Sequence, residues 1–211
     1  METGNNLMLK SIFLLLGMSV IFFSCGDKYS PEQREYINKI EKIREDKNKD
    51  MQSAPHSPFV QDSAAHYSPL KYFPVNPDFV FASKLTEYET KDTVEIFGTK
   101  GDTREVIRYG FLLFNYNEKE YRLNVYTGKI KDGPEYQTIW FTDLTTGSQT
   151  YGVGRYLHFE FNPDKNFEYT IDFNLAYNPY CAYSSRYSCA IPTKDDFLDI
   201  EIQAGEKIFH E

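Results

Sequence analysis

This 211-residue chain contains little cysteine, glycine and proline: it has 3 cysteines, 12 glycines and 10 prolines. Three cysteines are too few for a disulfide-dense scaffold, and so little glycine and proline excludes a collagen-like or low-complexity chain. The sequence does contain 17 Phe and 17 Tyr, and 26% of its residues are charged. Aromatic residues this frequent argue against disorder and predict a folded domain with a substantial core.

Basic residues are also in short supply. Lysine and arginine total 23 against 31 aspartates and glutamates, which gives a net charge of −8. Proteins that neutralise phosphates have the opposite balance, so we expect no nucleic-acid partner. The same charge opposes electrostatic attachment to anionic lipid.

The chain has a hydrophobic run, Ile12–Phe23, which is interrupted by Gly17 and Ser19 and follows Lys10. As a helix this run would be about 18 Å long, well short of the roughly 30 Å hydrocarbon core of a membrane. A basic residue, a short apolar stretch and a small residue at the cleavage position are typical of a secretory signal. The run therefore predicts export rather than a stable membrane span.

The run ends in Phe22-Phe23-Ser24-Cys25-Gly26, which resembles the lipobox of bacterial lipoproteins, with Phe22 where that motif usually has leucine. The resemblance implies a signal peptide over residues 1–24, acylation of Cys25 and a lipidated tether over residues 25–30. The protein is then expected to be lipid-anchored to a bacterial cell-envelope membrane, on the periplasmic or cell-surface side. The alternative is a buried or re-entrant helix with an incidental cysteine.

Two segments precede the main domain. Ser30, Pro31 and Gln33 form a capping-box signature, and apolar residues then recur at helical spacing among charged ones, which predicts an amphipathic helix over residues 31–47. Five prolines then fall within residues 48–77, with serine, histidine and asparagine between them. This composition predicts an extended, proline-containing wrap.

From residue 78 to residue 211 the hydrophobic period changes to two. Alternation is clear from Tyr121 to Val125, from Phe167 to Phe173 and from Leu198 to Ile202. Six further short runs have the composition of strands, and turn residues separate them: they are Phe79–Lys84, Thr93–Phe97, Glu105–Tyr109, Phe111–Tyr116, Thr138–Phe141 and Tyr156–Phe161. The fold class predicted is mainly β, a single antiparallel β-sandwich or partly open barrel with an N-terminal amphipathic helix.

A glycine pair, Gly152 and Gly154, lies between Tyr151 and Arg155. The pattern lacks the third glycine of a dinucleotide loop and precedes a strand rather than a helix, so it indicates a bulge or a close backbone approach. Arg155 has two open roles: its guanidinium could bind a ligand carboxylate or phosphate, or it could pair with an aspartate such as Asp143 or Asp172.

Cys181 and Cys189 remain once Cys25 is set aside as a lipid anchor. They could form a disulfide, which an exported compartment favours, or stay as buried thiols, or supply a reactive thiol or a metal ligand. The histidines do not share the spacing of a zinc motif with one another or with a cysteine, so no metal or other cofactor is predicted; they are His56, His66, His158 and His210.

The segment from Asp172 to Tyr183 concentrates a carboxylate, amides and phenols within twelve residues. Such groups could line a small polar pocket. They could equally form a polar turn in which Asp and Asn side chains satisfy backbone groups.

Five segments of the chain have a recognisable pattern: Tyr151–Leu157, Asp172–Pro179, Cys181–Tyr183, Cys189 and Ala204–Lys207. They resemble the DUF1684 family, a bacterial and archaeal domain of unknown function. The resemblance extends over about residues 35–208. In this chain Ala190-Ile-Pro192-Thr193 and Asp195-Asp-Phe-Leu198 replace the family's usual Cys-Pro-Leu-Pro-Pro and Asn-Arg-Leu. The resemblance implies one intact domain and a shared pocket, and it implies no activity.

Three functional hypotheses follow. In the first, the lipid-anchored β domain binds a small polar ligand or an envelope protein; the expected binding residues are Tyr151, Arg155, Asp172, Asn174, Tyr177, Asn178 and Tyr183. In the second, a hydrolase-like enzyme uses Asp172 as general base with Cys181 or His158. In the third, the protein has a purely structural role in the envelope.

Overall fold

The computed structural model describes residues 28–129 and 133–210. The predicted signal peptide and Cys25 therefore lie outside the described residues. Within the described ranges, every helix is too short or too polar to cross a membrane.

Helix α1 spans Pro31–Ser53 and begins as the sequence predicts. The side chain of Ser30 accepts a hydrogen bond from the backbone N–H of Gln33 at 3.2 Å, and Gln33 accepts one from the backbone N–H of Ser30 at 3.0 Å. This reciprocal capping box satisfies two N–H groups that the first turn of a helix leaves unpaired.

The predicted end of α1 at residue 47 is wrong, because the helix continues six residues to Ser53. Residues 48–53 contain neither glycine nor proline, and Met51 is buried against the folded body. The helix ends where Pro55 forces Ala54 into an extended conformation. The wrap therefore begins later than predicted, and it contains a one-turn helix, α2, over Pro58–Gln61.

The described strands confirm the mainly β prediction. They are β1 Val80–Lys84, β2 Thr86–Glu87, β3 Thr93–Phe97, β4 Thr103–Tyr116, β5 Lys119–Lys129, β6 Glu135–Asp143, β7 Arg155–His158, β8 Glu168–Asp172 and β9 Phe197–Leu198. A seven-stranded sheet has the order β2-β4-β5-β6-β7, with β3 added to β4 and β9 added parallel to β6. β1 and β8 pair in a second, two-stranded antiparallel sheet, and the described part of the chain forms no closed barrel.

Two strand predictions need correction. The runs on either side of Gly110 belong to one long strand, β4, whose register against β5 shifts between Arg108 and Gly110. The run from Leu198 to Ile202 buries alternate residues as predicted, but β9 covers only Phe197–Leu198. The predicted pattern of burial is therefore confirmed, and the predicted extent of the strand is wrong.

The main core lies between the two sheets and is rich in aromatic rings. Phe173 packs edge-to-face against Phe114 and Phe141, with ring centroids 5.3 Å apart in both pairs. Such pairs add about 0.5–1.5 kcal/mol beyond the burial of their area. Part of the aromatic content noted in the sequence thus joins the two sheets.

The glycine pair before β7 makes the predicted close approach at its second member. Gly154 has φ +109°, and a Cβ placed there would lie 2.6 Å from the carbonyl oxygen of Phe141. A Cβ on Gly152 would come no closer than 3.8 Å to any neighbour.

We therefore expect Gly154→Ala and Gly152→Ala to differ, although they lie in one loop. Gly154→Ala should lower the free energy of unfolding by about 2–4 kcal/mol, because it combines a strained φ with a backbone clash. Gly152→Ala should leave it unchanged or raise it by up to about 1 kcal/mol. Urea denaturation measures both, and equal effects would contradict the close approach.

Candidate functional site

Arg155 is completely buried at the start of β7. Its Nη2 lies 2.7 Å from Oδ2 of Asp143, which is also fully buried, and donates to the carbonyl oxygen of Ile202 at 2.9 Å. Its Nη1 donates to the carbonyl oxygen of Ala204. Of the two roles that the sequence left open for Arg155, the structure shows the pair with Asp143.

The guanidinium also replaces a missing strand partner. Residues 199–204 carry the alternating burial of a strand, yet no described strand pairs with them. Buried carbonyl groups need hydrogen-bond donors. Arg155 supplies them to Ile202 and Ala204, and it therefore holds the C-terminal segment on the sheet.

Glu206 is the centre of a second buried cluster. Its carboxylate lies 2.5 Å from Nζ of Lys47 on α1 and accepts hydrogen bonds from the hydroxyl of Tyr183 at 2.5 Å and the backbone N–H of Asn178 at 2.8 Å. The hydroxyl of Tyr72 lies 3.4 Å away. We call these five residues the Glu206 network.

Three of the predicted binding residues lie at this network. Asn178 and Tyr183 belong to it, and the ring of Tyr177 stacks against Lys47, with Nζ 4.7 Å from its centroid. Burial and the nearby Glu206 carboxylate raise the pKa of Tyr177 to about 12. Both oxygens of the Glu206 carboxylate are hydrogen-bonded, whereas Oδ1 of Asn178 is buried without a hydrogen-bond partner. The network holds the Tyr177–Tyr183 loop against α1 and the C-terminal segment.

Glu206 was absent from the predicted site, although the sequence carried a signal for it. The period of two that buries Leu198, Ile200 and Ile202 places Glu206 on the same side. An acidic residue on a buried face requires a partner.

Asp172 and Asn174 lie in a different neighbourhood. The hydroxyl of Tyr36 on α1 is 2.9 Å from both oxygens of Asp172, and the backbone N–H of Asn174 donates to Asp172 Oδ1 at 2.9 Å. The Asn174 side chain bonds both the N–H and the carbonyl of Asn76, each at 2.8 Å. Burial raises the pKa of the Tyr36 hydroxyl, and the negative charge of the nearby Asp172 raises it further.

The ring of Tyr151 packs against the apolar cluster that contains Tyr183, but its hydroxyl lies at the cysteines. Its hydroxyl is 3.3 Å from the carbonyl oxygen of Cys181 and 3.7 Å from Cys181 Sγ. The single pocket expected from Arg155 and Asp172–Tyr183 is therefore divided among four neighbourhoods: Asp143, Glu206, Tyr36 and the thiols.

Cys181 and Cys189 are both half-buried, and both are free thiols with no disulfide between them. The backbone N–H of Cys181 donates to Cys189 Sγ at 3.3 Å. A hydrogen bond from the Cys189 side chain lowers the pKa of Cys181 to about 6, with Tyr151 and Thr99 adding to the effect. The same hydrogen bond and burial raise the pKa of Cys189.

The groups of the hydrolase hypothesis are not assembled. The His158 side chain is 78% exposed, and its Nε2 lies 3.2 Å from a Glu160 oxygen rather than against Asp172 or Cys181. Among residues 28–129 and 133–210, no three His, Cys, Asp or Glu side chains are grouped to hold a metal ion.

Two cavities are relevant to ligand binding. The larger, of about 630 Å³, is an open depression beside the start of α1, with Lys28, Asn117 and Gln203 among its lining residues. A cavity of about 370 Å³ lies between β7 and β8, and it is lined by core residues such as Leu112 and by Asp172. We call the second one the β7/β8 cleft.

Replacing Arg155 tests its role in holding the C-terminal segment. Arg155→Met should lower the free energy of unfolding by about 3–5 kcal/mol, because it leaves Asp143 buried without a counter-charge. Arg108→Met, at the partly exposed pair with Asp195, should cost at most about 1 kcal/mol. Both are measured by chemical denaturation.

Adding Asp143→Asn to Arg155→Met separates the ion pair from the carbonyl contacts. The double variant removes the unpaired carboxylate but leaves the carbonyls of Ile202 and Ala204 without donors, so we expect partial recovery. Complete recovery of stability would contradict the role in the C-terminal segment.

The comparisons with known proteins agree with the resemblance seen in the sequence. A family model described as "Protein of unknown function (DUF1684)" matches residues 65–207. No curated protein matches the chain. A solution NMR structure of the uncharacterized protein from gene locus rrnAC0354 of Haloarcula marismortui is 29% identical, with a TM-score of 0.58, covering 83% of this chain and 96% of that one. Because the family model matches more than half of the chain, the chain belongs to the DUF1684 family.

Proposed function

We propose that this protein is a lipid-anchored envelope protein whose β domain binds a small amphiphile in the β7/β8 cleft. The observation that carries the proposal is the cavity of about 370 Å³ that enters the core between two strands. Ligand sites typically occupy about 300–1,000 Å³ and combine apolar walls with a few polar groups. The ligand proposed here has an apolar body and a cationic head. It is a narrower class than the small polar ligand that the sequence predicts.

The inner wall of the cleft is apolar. Leu112, Ile139 and Ile171 line it, and all three also belong to the core between the sheets. An aliphatic or aromatic ligand group placed there would continue that core. Such burial is worth about 25 cal/mol per Å² of apolar surface removed from water.

The entrance of the cleft is also partly apolar. Phe167 and Leu175 line it and are 40% and 41% exposed. Large apolar side chains exposed beside a cavity are typical of a binding groove. A ligand seated there would cover surface that is otherwise in contact with water.

The polar rim is acidic. Glu160, Glu168 and Asp172 line the cleft, and the one basic candidate, His158, is paired with Glu160. Carboxylates around an apolar cavity attract a cation and repel an anion. The rim therefore favours an amine over a carboxylic acid of the same shape.

Two fluorinated ligands with similar bodies test this preference. In lipid nanodiscs containing the full chain, 4-fluorophenethylamine should bind with a Kd of about 1 mM, as expected for a ligand of this size. 3-(4-Fluorophenyl)propionate should bind at least tenfold more weakly because the rim repels it. Fluorine NMR titration measures both affinities, with empty nanodiscs subtracted.

Variants locate the binding. Thr170→Trp, at an exposed residue of the cleft lining, should abolish amine binding by filling the cavity. Glu160→Gln with Glu168→Gln should reduce the preference for the amine, whereas the exposed pair Glu95→Gln with Glu105→Gln on β3 and β4 should not. Unchanged binding in Thr170→Trp would contradict the proposed cleft.

Anchoring through Cys25 would fix the position of this domain. Five residues separate Cys25 from the first residue of α1. An extended chain of five residues reaches about 18 Å, so the domain would lie close to the membrane surface. The short distance agrees with a peripheral protein held by its lipid.

Cys25→Ser tests the anchor in the protein's own bacterium. The unaltered protein should appear in the membrane fraction with the mass of a chain that begins at acylated Cys25. Cys25→Ser should retain residues 1–24 and gain no acyl mass. An unaltered protein of the same unprocessed, unacylated mass would contradict lipid anchoring, and Cys181→Ser is the control for loss of a cysteine elsewhere.

A further inference from the structure

We propose that Cys181 and Cys189 form a redox couple that cycles between a dithiol and an intramolecular disulfide by exchange with a disulfide partner. Cys181 is the attacking sulfur and Cys189 the resolving one. Neither residue lines the β7/β8 cleft, so this site is separate from the proposed ligand site.

The first support is that the two cysteines are held next to each other. The backbone N–H of Cys181 donates to Cys189 Sγ at 3.3 Å. Exchange of thiols and disulfides requires such proximity, since the resolving thiol must reach the sulfur of the mixed disulfide.

Each cysteine is fixed by its own framework. Cys181 lies in a short 3-10 turn, Tyr180–Ala182. Cys189 is bound on both sides to Thr99, because its N–H donates to Thr99 Oγ1 at 3.2 Å and its carbonyl accepts from the Thr99 N–H at 3.0 Å. Two separate parts of the fold therefore bring the two cysteines together.

The surroundings distinguish the two thiols chemically. The Tyr151 hydroxyl lies within hydrogen-bond distance of both the Cys181 carbonyl oxygen and Cys181 Sγ. When its proton turns to the sulfur, it stabilises a thiolate there. The neighbouring Cys189 thiol and the Tyr151 hydroxyl lower the pKa of Cys181, and the neighbouring Cys181 and burial raise that of Cys189. An attacking thiol works best when its pKa is close to the ambient pH.

The charged groups nearby are mostly basic. Arg104 donates to the carbonyl oxygen of Ser188 at 3.3 Å, and Lys100 donates to that of Arg186 at 3.0 Å. Asp102 is the acidic neighbour, and it is paired with Arg104 at 2.6 Å. These cations lie on the segment that leads to Cys189, and they favour a partner that carries negative charge, such as glutathione disulfide.

The proposed reaction transfers two electrons. The Cys181 thiolate attacks one sulfur of the partner disulfide, forming a mixed disulfide and releasing one partner thiolate, which takes up a proton. Cys189 loses its proton to solvent and attacks the Cys181 sulfur, which releases the second partner thiol. Two cysteine thiols are thereby oxidised to one disulfide, and one partner disulfide is reduced to two thiols.

A redox titration tests the couple directly. The full chain with Cys25→Ser, in detergent, is equilibrated with glutathione and glutathione disulfide at pH 7, then alkylated and weighed intact. We expect the chain to change reversibly between a form with two alkylated cysteines and a form with none. The midpoint should be the same whether the titration starts from the dithiol or from the disulfide. Thiols that exchange in neither direction, or a disulfide that excess glutathione does not reduce, would overturn the proposal.

The order of attack is tested with single-cysteine chains in the same background. At pH 7, we expect Cys181 in the Cys189→Ser chain to be alkylated at least tenfold faster than Cys189 in the Cys181→Ser chain. The serine hydroxyl of Cys189→Ser can still donate a hydrogen bond to Cys181. Adding Tyr151→Phe should move the pH midpoint for alkylation of Cys181 upward, and Tyr187→Phe in the same loop should not. Equal alkylation rates for the two cysteines would overturn the assignment of Cys181 as nucleophile.

Discussion

The interaction on which the C-terminal part of the fold depends is the buried contact between Arg155 and Asp143. The guanidinium is neutralised by the carboxylate, and its Nη1 and Nη2 also donate to the carbonyls of Ala204 and Ile202, whereas its buried Nε has no hydrogen-bond partner. A strand would normally receive such hydrogen bonds from a neighbouring strand. Here a side chain supplies them, so a segment without a strand partner can still cover the core.

The Glu206 network depends on that arrangement. Because the C-terminal segment is held in place, Glu206 projects inward and meets Lys47 from α1, Tyr72 from the wrap and Tyr183 from the loop before Cys189. One carboxylate thus connects four stretches of chain that are far apart in sequence. A buried charge of this kind is tolerated because every contact around it donates a hydrogen bond or a positive charge.

The accuracy of sequence prediction followed the range of the interactions. The capping box at Ser30 and most strands were predictable, since capping and alternation are local patterns. The role of Arg155 was left open because pairing with Asp143 depends on how β6 and β7 are brought together, which no local pattern specifies. The end of α1 was missed for a similar reason, since the burial of Met51 among distant residues stabilises its last turns.

The two-stranded sheet of β1 and β8 has a consequence for association between molecules. Among the described strands, β8 pairs with β1 alone, so its other edge can accept a further strand. Free edges of this kind are where proteins join into aggregates. Glu160 and Glu168, on the two sides of the opening, place charge where an incoming strand would have to lie. The residues that give the cleft its acidic rim therefore also protect the sheet against edge-to-edge assembly.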